Sequence, residues 1–502
     1  MLLSRVAVHP ALKVADVPPR LFGSFVEHMG RAVYGGLFEP GHPTADPSGL
    51  RRDVIELTRE LGVSVVRYPG GDFVSAYEWE DGVGPVAERP RRIDPAWRST
   101  ESNKFGTDEF LAWCRASAVE PMMAVNLGTR GIAEAMALLE YTNHPGGSRY
   151  SDMRIANGVR EPYGVKLWCL GNEMDGAWQI GHTDANRYGQ LAAATAHAMR
   201  RIDPGIELVV CGSSSMAMPT FGSWEADVLE HAYDEVDYIS LHAYYEQGTS
   251  DTGSFLASSV GMDAFIDSIV ATADHVRARK RSAKQLKLSF DEWNVWGETG
   301  YAGDPDPAWR ESPRIIEKTY DTTDAVVLGS LLMSLLRHAD RVDIACLAQL
   351  VNVIGPIRSE PNGPAWRQTI FHPFAITARL AQGEVLHVAQ EVQHYSSDWG
   401  DTPWTDVVVT ADPETESLSL FMLNRHQTEN IRMEVDLRAF SPVKVDEHLV
   451  VGGVDLEDVN DQAHPDRVRP RAGSEASVAD GWLTLEIPPM SWSAMRMVAT
   501  AK

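Results

Sequence analysis

From about Arg20 to Leu380 the chain alternates short apolar runs with longer stretches in which apolar residues recur every three or four positions. The runs are RLFGSFVEH (20–28), SVVRYPGG (64–71), PMMAVNLG (121–128), VKLWCLGNE (165–173), IELVVCGSS (206–214), VDYISLHAY (236–244), LKLSFDEWN (286–294) and IACLAQLVN (344–352). Between them lie segments with helical periodicity, such as 51–61, 108–117, 184–203 and 323–340. Eight strand-then-helix units predict an α/β fold, a parallel (β/α)8 barrel. Each run is apolar first and polar last. Glu27, His28, Arg67, Asn126, Asn172, Glu173, Ser213, His242, Tyr244, Glu292, Asn294, Gln349 and Asn352 stand at the ends. In such a barrel the C-terminal strand ends meet at one rim, so these side chains share a polar cup.

Beyond Leu380 the period changes. Short strand-like runs at 384–392, 406–412, 417–425, 431–440, 443–451 and 482–487 are separated by turn residues and Pro, the spacing of a β-sandwich. We expect an additional all-β sandwich, jelly-roll-like, over 381–502, a catalytic barrel over 19–380, and an N-terminal strand within 1–18 that joins the sandwich. The polar stretch 456–480 reads as a loop. No internal repeat or low-complexity tract is evident.

Composition narrows the class. The 502 residues are 44% hydrophobic and 23% charged, ordinary for a globular protein. The net charge of −25 repels phosphate backbones and anionic membrane surfaces, which disfavours nucleic-acid and membrane partners. The four cysteines, Cys114, Cys169, Cys211 and Cys346, lie in apolar or helical contexts without CxxC spacing, which predicts buried free thiols in a reducing compartment. The first residues lack a charged segment followed by an apolar core, and no run approaches the length of a membrane span. A cytoplasmic location is expected.

Two carboxylates carry the candidate chemistry. Glu173 ends the fourth strand after Asn172, and Glu292 ends the seventh. A lone Glu after a strand is ordinarily a helix-terminal charge or a solvated loop residue. Two of them on one barrel mouth, with Arg, His, Tyr and Gln on neighbouring strand ends, form the pair that glycoside hydrolysis requires. One must be protonated to release the leaving group and the other ionised to attack, and proximity drives their pKa values apart. Other chemistries lack their marks. No phosphate-binding glycine motif follows a strand, no GxSxG occurs, and the histidines form no HxH pair, so neither metal nor cofactor is expected.

The segments FGSFVEHMGRAVYGGLFEP (22–40), VVRYPGGDFVSAYEWEDGVGP (65–85), LWCLGNEMDG, SLHAYY (240–245), DEWNVW (291–296) and AQLVNVIGPI (348–357) together resemble the α-L-arabinofuranosidases of glycoside hydrolase family 51. The resemblance spans nearly the whole chain. It implies a retaining, exo-acting hydrolase that releases terminal non-reducing α-L-arabinofuranosyl residues from arabinan or arabinoxylan oligosaccharides. It assigns Glu173 as acid/base and Glu292 as nucleophile. It places Glu27, Arg67, Asn172, Tyr244 and Gln349 around the furanose, with His242, Trp97 and Trp296 lining the site. The family usually has Asn where this chain has Asp72, among the residues that touch the sugar. An amide can donate a hydrogen bond, whereas an ionised carboxylate only accepts, so Asp72 is expected to bear on sugar preference. Members often assemble as hexamers or other homo-oligomers, which the resemblance implies here. Two alternatives stay open at this stage. One is a related barrel glycosidase acting on another furanoside or within a β-glucan. The other is a carbohydrate-binding protein without activity, against which both acids speak. The sandwich reads as a structural partner of the barrel, because its strands show no clear row of exposed aromatic residues.

Overall fold

The computed structural model of the chain describes residues 2–297, 304, 308–440 and 442–500. All eight expected runs become parallel strands of one closed barrel. In chain order they are Gly23–Phe25, Val65–Tyr68, Glu120–Val125, Leu167–Leu170, Glu207–Val210, Tyr238–Tyr245, Lys287–Val295 and Val342–Ala348, hereafter barrel strands 1 to 8. Helices follow them, among them Arg52–Leu61, Thr107–Ser117, Ala185–Ile202 and Thr322–Arg337. Their starts are set locally. The Asp184 side chain accepts from Arg187 N–H and Asp321 from Asp324 N–H, each satisfying an otherwise orphaned donor of a first turn.

Inside the barrel, Phe25, Val65, Met122, Ala124, Leu167, Cys169, Val209, Ile344 and Cys346 form a packed core. The four cysteines are buried free thiols, as expected. The N-terminal end of the barrel is closed by charge: Arg20 binds Glu120 at 2.7 Å and Glu207 at 2.8 Å. This leaves the opposite end free for side chains that are not needed to fill the interior.

Barrel strand 7 is irregular. Ser289 pairs with Ser240 and Glu292 with His242, so three steps on strand 7 oppose two on strand 6. The extra residue is a β-bulge, which breaks the strict alternation of faces and re-aims the residues beside it.

Among the described residues ten further strands form one ladder, and three two-stranded hairpins stand apart from it. The N-terminal strand Leu2–Asp16 lies within it, antiparallel to Glu384–Glu391 and parallel to Ile431–Asp436. The sandwich expected from the sequence is therefore a single continuous sheet folded over its own core of Val6, Leu386, Val409, Leu420, Met433, Leu485 and Met497. Strands Ser417–Asn424 and Trp482–Ile487, well separated in the ladder, touch across that core. Two elements escaped the periodicity. Ser491–Ala499 is a strand between Val443–Gly452 and Ser417–Asn424, and a hairpin joins His394–Ser397 to Gly400–Pro403. Within the polar stretch 456–480 there are only the short strands Arg471–Ala472 and Ser477–Ala479.

The sheet packs on the barrel through Thr322–Arg337. Along Ser417–Asn424, Leu418, Leu420 and Met422 face the sheet's own core, while Phe421 and Leu423 join the barrel core. Gly329 lets the helix approach the sheet, since a Cβ there would stand 2.6 Å from the Trp492 indole. Asp406 is clamped in the contact by Arg337 at 2.5 Å and Arg425 at 3.2 Å. Burial works against its charge, but the two guanidinium groups prevail and hold its pKa at about 2. No helix among the described residues is long and apolar enough to cross a membrane.

Candidate active site

The polar strand ends converge on a cavity of about 310 Å3 at the C-terminal rim. Of the residues singled out in the sequence, Glu27, Asp72, Trp97, Glu173, Tyr244, Glu292, Trp296 and Gln349 line it. Arg67, Asn172 and His242 sit behind that lining, buried; Arg67 bonds Glu292 and Asn172, and His242 bonds Glu173.

Glu292 is held from two sides. Arg67 donates Nη1–H to Oε1 at 2.8 Å, and Tyr244 donates its hydroxyl to Oε2 at 2.8 Å. The same guanidinium donates to Asn172 Oδ1 at 2.7 Å and lies over the Phe25 ring at 5.0 Å. Two hydrogen bonds, one on each oxygen, fix the direction of this carboxylate.

Glu173 is placed by a backbone turn. Gly171 has φ 92° and Glu173 itself φ 44°, so the chain leaves strand 4 through left-handed conformations. A non-glycine residue there costs about 1–2 kcal/mol, which surrounding contacts must offset. The Glu173 Oε1 lies 2.8 Å from His242 Nδ1, and Oε2 accepts from the Trp178 indole at 2.6 Å. Burial raises the Glu173 pKa and the Glu292 charge adds to this, against the opposing bonds from His242 and Trp178. One oxygen of Glu173, one of Glu292 and a His242 ring nitrogen lie within 4.8 Å of one another.

His242 is held in turn by Asp291, with Nε2 2.9 Å from Oδ1. Burial opposes its charge, but Glu292, Asp291 and Glu173 together keep its pKa well above the ordinary value. Asp291 is buried too, yet Arg67 and His242 hold its pKa down. Asp291 was not foreseen. Strict alternation turns it away from Glu292, and the bulge that brings both into the barrel leaves no mark in the sequence.

The far wall comes from strands 1 and 8 and the segment after strand 2. Glu27 Oε1 accepts from Phe73 N–H at 2.9 Å and from the Trp97 indole at 2.8 Å. Gln349 Oε1 accepts from Glu27 N–H at 3.1 Å. Gly70 has φ 130°, and a Cβ there would overlap Glu27 at 2.3 Å, so the paired glycines let the backbone pass beside the carboxylates. Asp72 follows them. Its Oδ1 lies 3.4 Å from Asn172 Nδ2. Burial raises its pKa well above the usual carboxylate range, and the charges of Glu173, Glu27 and Glu292 raise it further. Trp296 meets the Tyr244 ring edge to face at 5.0 Å and closes one side. Phe25, Met29, Ile316 and Ile354 supply apolar floor, which the pattern of polar strand ends does not mark. Trp178, five residues after Glu173, also lines the cavity and lies beyond the strand end in a turn that the strand pattern does not mark.

Comparison with known proteins agrees with this geometry. Residues 57–256 match the α-L-arabinofuranosidase 1 domain, and residues 291–491 match the α-L-arabinofuranosidase C-terminal domain. An intracellular exo-α-(1→5)-L-arabinofuranosidase from Streptomyces lividans is 53% identical over 99% of this chain and 75% of its own length. The chain belongs to the family 51 α-L-arabinofuranosidases. An exo-α-(1→6)-L-arabinofuranosidase from Bifidobacterium longum is 48% identical over 98% of this chain and 97% of its own length. The solved structure of a family 51 α-L-arabinofuranosidase from Bifidobacterium longum, 44% identical, superposes with a TM-score of 0.93 over 99% of both chains. The close approach of Glu173 and Glu292, one oxygen of each within 4.8 Å, is consistent with the family's retaining mechanism.

Proposed function

We propose that this arabinofuranosidase removes terminal non-reducing α-L-arabinofuranosyl residues from short arabinan or arabinoxylan fragments, with Glu292 as nucleophile and Glu173 as acid/base. The observation that carries the assignment is the contrast between the two acids. Glu292 accepts charge-assisted bonds on both oxygens, whereas burial and the neighbouring charge favour a proton on Glu173. A nucleophile needs the first environment and a general acid the second.

In the first half-reaction Glu292 forms a bond to the anomeric carbon. The glycosidic C–O bond breaks, its electron pair stays with the departing oxygen, and Glu173 gives that oxygen its proton. In the second, Glu173 takes a proton from water as the water oxygen displaces Glu292, and the original anomeric configuration returns. Glu27, Gln349 and Asp72 face the cavity where sugar hydroxyls would lie, while Trp97 and Trp296 cover apolar C–H surface. Arg67, Asn172 and His242 act from behind by holding the groups in front. A cavity of about 310 Å3 walled on several sides suits one terminal sugar ring and hence the exo mode.

The two curated relatives differ in the linkage that their names record, (1→5) against (1→6). We favour (1→5) because the more identical of them carries it. The same relative is named intracellular, which supports a cytoplasmic site of action on imported oligosaccharides. A homo-oligomer, possible as a hexamer, is proposed from the family resemblance, and light scattering on the purified protein tests it.

The deciding experiment is hydrolysis of a panel of p-nitrophenyl glycosides and linkage-defined arabino-oligosaccharides by the protein and by Glu173→Ala and Glu292→Ala, with the first product followed by NMR. Turnover of the α-L-arabinofuranoside with retained configuration, lost in Glu292→Ala, supports the assignment. First release of the opposite anomer, or full activity in Glu292→Ala, overturns it.

A further inference from the structure

Glu173 has two oxygens with different neighbours. Oε1 faces His242, which is 2% exposed and anchored on its other side by Asp291, so this partner stays in place. Oε2 faces the indole of Trp178, which is 53% exposed and lines the cavity. Among the described residues these are the two hydrogen-bond partners of that carboxyl group. A proton delivered to a leaving oxygen therefore departs from Oε2, the oxygen that Trp178 holds at 2.6 Å.

The indole sits there by construction. It lies in the turn after strand 4, where Gly176 N–H bonds to Glu173 C=O at 2.9 Å and Gln179 N–H to Gly176 C=O at 3.0 Å. A Cβ on Gly176 would stand 2.5 Å from Cε2 and Cζ2 of the Trp178 ring, so the ring rests on the bare backbone of that glycine.

We propose that Trp178 is a positioning residue whose indole N–H caps the proton-delivering oxygen of Glu173, and that the leaving group of the substrate displaces this cap. The proposal rests on Glu173 as the acid/base. A hydrogen bond donated to a carboxylate favours its ionised form. With the cap displaced, Glu173 keeps its proton for the glycosidic oxygen. After the leaving group has gone, the cap returns and favours the ionised Glu173 that must accept a proton from water. The direction of Glu173's raised pKa, with the Trp178 bond opposing the shift, agrees with this sense. The other charged groups that bear on Glu173 are His242 from strand 6, Glu292 and Asp291 from strand 7 and Asp72 from the segment after strand 2, with Arg67 behind Glu292. All are buried or in the cavity wall and tied to neighbours. Trp178 is the partner of Glu173 with a solvent-exposed path away from it.

Two substitutions remove the cap in different ways. Trp178→Phe keeps a ring and loses the N–H, and Gly176→Ala keeps the N–H and pushes the ring off its seat. The readout is the pH profile of kcat/KM on an α-linked arabinotriose, whose basic limb reports the acid of the free enzyme. Both variants are expected to move that limb to higher pH by about one unit, the size set by one hydrogen bond to a charged group. A basic limb that superposes on the wild type's in both variants, with KM raised, overturns the proposal and leaves Trp178 as a packing surface only. Glu173→Ala is the control on the underlying reading. If the basic limb persists in that variant, Glu173 is not the acid and the cap has no role to play. Loss of the limb in Glu173→Ala with no shift in the other two rejects the cap alone.

Discussion

His242 Nδ1 lies 2.8 Å from Oε1 of Glu173. Because Asp291 fixes the opposite ring nitrogen, the imidazole has one orientation, and Glu173, proposed as the acid, is aimed by it. His242→Ala is expected to lower kcat on unactivated oligosaccharides about 10²-fold or more, the scale of a positioned general acid. On a dinitrophenyl arabinofuranoside, whose leaving group needs no proton, first-step losses should be much smaller. Presteady-state kinetics on both substrates measures the contrast.

Glu173→Ala should separate the two half-reactions. Activated aryl substrates still form the glycosyl-enzyme, but water lacks its base and the intermediate accumulates. Added azide, which needs no base, is expected to restore turnover and to yield the glycosyl azide of retained configuration. Absence of azide rescue would count against the role of Glu173 in the second step.

Asp72 lines the cavity, where burial and then the charges of Glu173, Glu27 and Glu292 make a neutral side chain the favourable one. Asp72→Asn preserves size and a donor. We expect kcat on the arabinofuranoside to stay within about 10-fold, the discrimination that one modest contact supplies, while KM or the ranking of furanosides and pyranosides changes. Identical kinetics across the sugar panel would remove Asp72 from specificity.

Glu27 gives a pH signature in stability. Burial pushes its pKa up to about 8, outweighing the bonds from Phe73 and Trp97, with Glu292 and Asp94 adding to the rise. The folded state therefore holds a proton that the unfolded chain has already released above its ordinary carboxyl value. Stability contributed by this group is full at low pH and declines as pH rises from that value through about 8. Glu27→Gln removes the titration. Its melting temperature should fall less than the wild type's between about pH 5 and pH 9, although activity drops with the lost cavity contact. Parallel melting curves would contradict the shift.

Gly329 faces the Trp492 indole, with a hypothetical Cβ only 2.6 Å from the ring. Gly329→Val should destabilise the chain by about 1–3 kcal/mol through overpacking. The effect is read as a lower denaturation midpoint, with unchanged KM in the folded fraction because neither Gly329 nor Trp492 lines the cavity.

The barrel is legible in the sequence because its strands are buried on both faces and end in polar residues, so each run carries its own direction. Glu173 and Glu292 follow from that asymmetry. Asp72, Trp97 and Trp296 came from the family resemblance alone. Trp97 has no periodicity of its own, and reaches Glu27 through a hairpin whose strands are three residues each. Asp291 was hidden by the bulge. The strand Ser491–Ala499 was hidden by its serines, which are buried at Ser491 and Ser493 and mimic a turn on paper. Where two side chains on one carboxyl decide the chemistry, as with His242 and Trp178 on Glu173, only coordinates separate them.

The strand Leu2–Asp16 pairs with Glu384–Glu391, roughly 370 residues further on. At a synthesis rate of about 5–20 residues per second, the opening of the chain leaves the ribosome some 20–70 s before its partner exists. Throughout that interval its apolar side, with Val6 and Val8, has no sheet to join. The eight barrel strands all emerge during the wait, so this protein's translation schedule favours a barrel assembled before the sheet that leans on it, and makes the first strand the natural client of a chaperone.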